Sequence, residues 1–247
     1  MILALLCGAF IGAVLGFVGA GGAMISVPIL LYLFDFTAAQ ATTAALAIVF
    51  IAAFAGVVPK MKSGDVLYRE ALSIWAIGFV SNIGGATLAK HLSDATIVTG
   101  FAVVLIAAGA SMLRGPVKAR PEKRMQPIAL VAISLTIGAM TGVFGIGGGF
   151  LAIPVLVLFY HTPHKKAAGT SLLIISLNCL TSFVAHHSGW HTISWRTPIT
   201  IGIAAVVVSA IASHKSSKVN ARQLQKAFAY LLFTLSAFTL IRTWFGI

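Results

Sequence analysis

Residues Gly12 to Pro28 read GAVLGFVGAGGAMISVP, and residues Gly138 to Pro154 read GAMTGVFGIGGGFLAIP. The two stretches stand in register at a constant separation of 126. Gly12, Gly16, Gly19, Gly21, Gly22 and Pro28 fall on Gly138, Gly142, Gly145, Gly147, Gly148 and Pro154. Self-similarity at a long period sets architecture, so the chain reads as two repeats. In an apolar chain, paired segments interrupted by Gly and Pro are the best sequence pointer to a transporter's binding site.

The surroundings are apolar from end to end. Of 247 residues 59% are hydrophobic and only 9% charged, with a mean hydropathy of +1.00. A soluble domain carries roughly 25% charged residues. Apolar runs of about 20 residues recur, as membrane-spanning helices require. The alternation of a membrane barrel is missing. The fold class is therefore an all-α polytopic membrane protein. The first run, Ile2 to Phe17, lacks a basic leading region and is itself repeat material, so it is not read as a signal peptide. The net charge of +12 is explained by positively charged cytoplasmic loops rather than by nucleic acid. Cys7 and Cys179 occupy different repeat positions and suggest neither a disulfide nor a metal site. No cofactor is implied.

Each repeat holds a Gly-broken segment and three helices. The first repeat, 1–113, contains the broken segment Ile2–Phe34 and helices over Ala41–Val58, Ala71–Ala89 and Ala95–Leu113. A basic linker, 114–126, reads RGPVKARPEKRMQ and is placed in the cytoplasm. The second repeat, 127–247, contains Pro127–Tyr160, Ala167–Ala185, Thr197–Ser213 and Lys226–Trp244.

Loop charges decide how these eight segments cross. If each broken segment spans once, the loops on the two sides carry nine and seven Lys or Arg, which is no bias. If each broken segment is a hairpin that returns to its own side, the halves are inverted relative to each other. One side then holds fourteen basic residues and the other keeps Lys90, Arg196 and Arg242. The positive-inside rule prefers the inverted arrangement, with both termini outside the cytoplasm. Length agrees, since the 12 residues from Ala23 to Phe34 make about 18 Å of helix, too short for ~30 Å of hydrocarbon.

A break inside the membrane must be covered by protein or line a cavity. The glycine clusters at 19–22 and 145–149 are thus expected at hairpin tips, where returning half-helices begin. A helix N-terminus is a ready anion site. All five acidic residues, Asp35, Asp65, Glu70, Asp94 and Glu122, lie in loops or at helix ends. A carboxylate relay or cation site is disfavoured. What remains is a small anion held by N–H groups, hydroxyls and amides at opposed half-helix N-termini near the midplane.

The substrate-binding candidates are Gly19, Gly21, Gly22, Thr43 and Asn82 from the first half, and Gly145, Gly147, Gly148, Thr170, Ser171 and Asn178 from the second. Thr42, Ser81, Ser176, Thr181 and Ser182 are further polar groups on the same helices. For a lone Ser or Thr, a bond to its own helix is the competing reading. Asn82 and Asn178 fit helix–helix bonding as well as substrate contact. His186, His187 and His191 cluster at the end of one helix beside Trp190 and Trp195. The tryptophans read as interfacial anchors, and His186 and His187 as a loop feature or a pH-sensing gate.

The doubled Gly/Pro pattern, the ATTAAL and AAGTSL helix openings at 41–46 and 167–172, and the basic linker resemble the TauE/SafE family. This is also called the sulfite exporter or 4-toluene sulfonate uptake permease family. The resemblance covers nearly the whole chain. It implies a multi-pass transporter in a bacterial inner membrane. The cargo implied is a small sulfur-containing anion: sulfite, sulfoacetate or a related organosulfonate. The family's Gly-Thr-Ser matches Gly169, Thr170 and Ser171, whereas the first half has Thr43, Ala44 and Ala45 there. The expected mechanism is secondary transport by alternating access of the two repeats. The alternatives are a passive anion channel, or transport of another small oxyanion such as thiosulfate or a carboxylate. An intramembrane enzyme is disfavoured, because no nucleophile–base pair appears at membrane depth. The expected partners are the anion and the bilayer. Room is left for coupling to a proton or counter-ion and for a homo-oligomer.

Overall fold

The computed structural model describes residues 1–20, 22–113, 127–144, 152, 153, 156, 162, 164–215 and 221–245. Among them there is no strand. The helices are α1 (Ile2–Val18), α2 (Gly22–Leu33), α3 (Ala38–Lys62), α4 (Tyr68–Ala89), α5 (Asp94–Leu113), α6 (Pro127–Phe144), α7 (His164–Ala185), α8 (Arg196–Lys215) and α9 (Ala221–Phe245). A short 3-10 turn, His187–Thr192, follows α7.

Four of these helices, α3, α4, α7 and α8, are long and apolar enough to cross a membrane. Their outward faces agree with that. Ile199, Ile203, Val207 and Ile211 stand four apart on α8 and are all more than half exposed. Such a stripe would be costly in water and is at home against lipid tails.

The chain reverses where the first glycine cluster begins. Gly19 caps α1 with φ 75° and gives its N–H to the Leu15 carbonyl at 2.9 Å. That left-handed backbone is one glycine adopts at no steric cost. Three residues later Gly22 opens α2 beside α1, so close that a β-carbon there would lie 2.8 Å from the Ile11 carbonyl oxygen. A chain that has passed Val18 and returned to the level of Ile11 has folded back on itself. At 17 and 12 residues, α1 and α2 are about 25 and 18 Å long, each short of a ~30 Å core.

α3 begins earlier and ends later than the apolar run suggests. Thr37 and Gln40 form a reciprocal capping box, each side chain bonded to the other's backbone N–H. At the far end the helix runs through Pro59 to Lys62. Gly64, at φ 72°, lets the Asp65 N–H reach back to the Lys60 carbonyl at 2.9 Å, a Schellman closure. Lys60 and Lys62 therefore belong to the last turn of α3 and not to a loop.

The halves are interleaved. α1 lies along α8, where Gly16 would place a β-carbon 2.6 Å from the Ser209 carbonyl oxygen. α6 lies along α4, where the same addition at Gly142 would meet the Ala86 nitrogen at 2.7 Å. α1 and α6, the opening helices of the two broken segments, thus each pack on the middle one of the three helices of the other half, through small residues that let backbones touch. α3 and α7 cross the centre in opposite directions, with Leu172 near Gly56 and Thr43 near Gly189. α5 and α9 pair at the side, joined by the Ser236 hydroxyl donating to the Ala102 carbonyl at 3.0 Å. α3 supplies more of the core than any other described helix: Ala41, Ala44, Ala45, Leu46, Val49, Ala52 and Ala53 are all fully buried.

Candidate functional site

A connected set of buried polar groups lies where α4 meets α7. Asn82 is fully buried near the middle of α4. Its Nδ2 donates to the Asn178 backbone carbonyl at 3.1 Å, and its Oδ1 accepts the Ser182 hydroxyl. The Ser182 carbonyl in turn lies 2.8 Å from His186 Nδ1. The result is a chain of polar contacts along one face of α7, from its end toward its middle. Asn82 is held by helix–helix bonds on both sides of its carboxamide.

Asn178 differs. Its backbone carbonyl is engaged, but neither Nδ2 nor Oδ1 of its buried side chain has a hydrogen-bond partner among the described residues. Buried amides are normally satisfied. A lone buried carboxamide costs about 1–3 kcal/mol. Its helix neighbours Ile175 and Cys179 belong to the same buried core as Ala52 of α3.

The remaining candidates divide. Thr43 is buried and donates to the Ala39 carbonyl at 2.9 Å, a bond within its own helix. Thr170 donates to the Lys166 carbonyl at 2.7 Å and accepts the Leu67 N–H at 2.9 Å, which ties α7 to the start of α4. Thr170 and Asn178 are eight residues apart on α7, about 12 Å along the axis. Ser171 is fully buried. Gly19 meets α7 directly, since a β-carbon there would lie 2.7 Å from the Ala168 Cα. Gly22 abuts α1. The first hairpin tip therefore reaches the opening turns of α7, beside the Gly169–Thr170–Ser171 run. Gly21, Gly145, Gly147 and Gly148 lie outside the described residues.

His186 is buried. Burial holds its pKa below the ordinary 6.5, helped by the Lys90 charge and opposed by the Ser182 carbonyl. His187 is exposed and lies 3.2 Å from the Val184 carbonyl. The aromatic cluster around them is tightly tied. Trp190 stacks on Phe183 at 4.5 Å, and its Nε1 donates to the Phe183 carbonyl at 3.1 Å. Trp195 meets Phe183 edge-on at 5.9 Å. Gln40 Nε2 donates to the Thr192 carbonyl at 2.7 Å and so joins this turn to the start of α3.

At the other end of α3, beyond the Val58 at which the apolar run stops, a charged group comes into view. Lys60 is only 4% exposed, and Asp65 is buried beside it. The Asp65 carboxylate accepts the Ser63 hydroxyl at 2.6 Å and pairs with Lys165 Nζ at 3.1 Å. Burial pushes the Asp65 pKa up, but Ser63 and the two lysines outweigh it and hold the carboxyl below its ordinary range. The signal that could have found Lys60 was the KSGD run at 62–65, whose glycine marks a helix end at Lys62, about one turn later than the apolar stretch does.

These features describe a multi-pass helical membrane protein with buried polar groups but no buried acid within its spans. The family described as "Sulfite exporter TauE/SafE" matches residues 4–239, and the chain belongs to that family. It is a membrane transporter and not an enzyme. A "Probable membrane transporter protein" of Xylella fastidiosa (strain Temecula1 / ATCC 700964) is similar at 23% identity, over 96% of this chain and 94% of its own length. The "Probable membrane transporter protein YunE" of Bacillus subtilis (strain 168) is 26% identical, over 76% and 78%. One from Haemophilus influenzae is 23% identical, over 96% of both. No solved structure matches the chain.

Proposed function

We propose that this protein carries a small sulfur-containing anion, such as sulfite, sulfoacetate or a related organosulfonate, across a bacterial inner membrane by alternating access. Two repeats of inverted topology would form the moving parts, with both termini outside the cytoplasm. The family supports the substrate class. The reversal at Gly19, the crossed packing of α1 on α8 and α6 on α4, and the fourteen basic residues falling on one side support the arrangement.

The observation that carries the reading is the Asn178 carboxamide. It is buried, with a donor and an acceptor that no described residue engages. An anion oxygen arriving there would satisfy the Nδ2 donors, and a bound water or a substrate hydroxyl the acceptor. No acid within the spans competes with an anion for those donors. Asn82 and Ser182 hold the backbone of α7 in place behind it.

The test is uptake by the purified chain in proteoliposomes across sulfite, sulfoacetate, thiosulfate and sulfate. The expected result is saturable uptake of sulfite or sulfoacetate with counter-transport. Folded protein that moves none of the four would overturn the substrate class, and uptake without saturation would identify a channel instead.

A further inference from the structure

We propose that the cavity between the ends of α2 and α9 and the starts of α3 and α5 holds a phospholipid headgroup, with Arg242 on its phosphate and Asp94 serving the ammonium of an ethanolamine group. No described residue of α7 lines this cavity, so the site is separate from the Asn178 carboxamide and does not depend on the cargo.

The first argument is a pair of opposite charges held apart. The cavity measures about 270 Å³, and its lining includes Tyr32, Phe36, Thr37, Asp94, Val98 and Arg242. Pockets for drug-sized ligands run to roughly 300–1,000 Å³, so this one suits a compact group. Arg242 and Asp94 share the lining, yet among the described residues the ion pair is Lys165–Asp65, and these two make none. Arg242 instead lies over the Tyr32 ring, 4.8 Å from its centroid. A ring face attracts the charge and leaves the N–H fork of the guanidinium for an oxyanion, which it matches in shape.

The second argument is the set of donors that accompanies Arg242. The Thr37 hydroxyl oxygen accepts the Gln40 N–H at 3.3 Å, and its own proton goes to no described residue. Ala38, in the first turn of α3, also lines the cavity. The first N–H groups of a helix have no partner within it, and its dipole favours negative charge there. The lining therefore offers several donors for an oxyanion and one carboxylate, Asp94, for a cation. A simple anion would be repelled by Asp94, whereas a zwitterion is matched at both ends.

The third argument is depth. The bond from Gln40 to the Thr192 carbonyl puts the start of α3 and the turn with Trp190 and Trp195 at one end of the bundle. Trp244 lies at the same end, where its Nε1 donates to Thr99 Oγ1 at 3.3 Å. Tryptophans gathered at one end mark the membrane–water interface, the level of the headgroups. Tyr32 connects the cavity with the lipid-facing side. Its ring meets Phe238 edge-on at 5.2 Å, and Phe238 and Ile241 are exposed. Acyl chains would run down that face of α9 while the headgroup joins α2 to the α5–α9 pair. This continuity with an apolar face favours a lipid over a soluble ion.

The experiment is native mass spectrometry and thermal shift of the purified chain in detergent, titrated with three probes: phosphatidylethanolamine, phosphatidylglycerol and free phosphoethanolamine. Wild type is compared with Arg242→Gln, Asp94→Asn and Arg196→Gln, the last an exposed arginine at the same end of the bundle. Wild type is expected to bind phosphatidylethanolamine, to be stabilised by it, and to prefer it to the other two probes. Arg242→Gln should weaken that binding about tenfold or more, the scale of one lost charge-assisted contact to phosphate. Asp94→Asn should bind the two lipids alike, and Arg196→Gln should behave as wild type. If Arg242→Gln does not fold, Asp94→Asn carries the test, since asparagine is well tolerated at a helix start. Wild type that binds no lipid, folded Arg242→Gln that binds phosphatidylethanolamine undiminished, or Asp94→Asn that keeps the wild-type preference overturns the proposal. Free phosphoethanolamine binding as well as the lipid overturns it too, and makes the cavity a site for a soluble ion.

Discussion

Two helix contacts at corresponding places in the two halves look alike in outline and differ in chemistry. Where α4 meets α7, Asn82 bonds to Ser182 and to the backbone of Asn178. Where α8 meets α3, Gly56 stands 126 residues before Ser182, and Ala52 stands 126 before Asn178. There the Ser209 hydroxyl fills the space of the missing side chain, 2.5 Å from a β-carbon on Gly56, and the Ser213 hydroxyl donates to the Gly56 carbonyl at 2.6 Å. Both contacts are close and built from small residues. Among the described residues, the second half puts a carboxamide without a hydrogen-bond partner beside its contact, and the first half does not. The buried basic groups at the helix ends diverge in the same way. Lys60 closes α3, and His186, again 126 residues on, follows α7. Packing is shared between the halves, and the polar chemistry is not. Function is expected in the departures from the repeat.

The comparison breaks first at the shared packing. Gly16→Val and Gly142→Val each drive a β-branched side chain into the backbone of the opposing helix. Each is expected to cost about 3 kcal/mol or more, since neither backbone can withdraw. Size-exclusion chromatography should show loss of monodisperse protein for both. Tolerance of either one would mean that the two crossed contacts are not equivalent.

The polar difference predicts a smaller, asymmetric effect. Asn82→Ala leaves the Ser182 hydroxyl and the Asn178 carbonyl without their partner, at about 1–3 kcal/mol. Ser209 has a buried hydroxyl without a partner among the described residues, so Ser209→Ala removes an unsatisfied group and is expected to be neutral or stabilising. Thermal unfolding of the two variants side by side checks this. Equal losses would contradict the asymmetry.

The least effect is expected from pH. His186 has its pKa lowered by burial and by Lys90, so the folded state favours the neutral ring. Its contribution to stability is full above about pH 6.5 and is lost as pH falls below that, because the unfolded chain then binds the proton more readily. His186→Gln should flatten that part of the stability profile. An unchanged profile would remove His186 as its source.

Much of this architecture is readable from the glycines. Gly12, Gly16, Gly138 and Gly142 announce close packing, and Gly19 marks a reversal, because these are backbone requirements that only small residues meet. The start of α3 is readable too, in the Thr37–Gln40 capping box, although the apolar run begins later. The site is harder to read. Asn82 and Asn178 are the same residue type on similar helices, and only their neighbours tell a satisfied amide from a free one. Thr170 carries the Gly-Thr-Ser resemblance, yet its hydroxyl is engaged on both sides by the backbone. The burial of Lys60 depends on where α3 stops, and helix ends are set by local closure rather than by hydropathy.

The free amide is the centre of the account, and transport by Asn178→Ala tests it most directly. In proteoliposomes matched for folded protein, sulfite uptake by this variant should fall at least about tenfold, while its thermal stability stays at or above wild type because an unsatisfied buried group has been removed. Uptake at the wild-type rate by stable Asn178→Ala protein would contradict the account and return Asn178 to the packing it shares with Ala52.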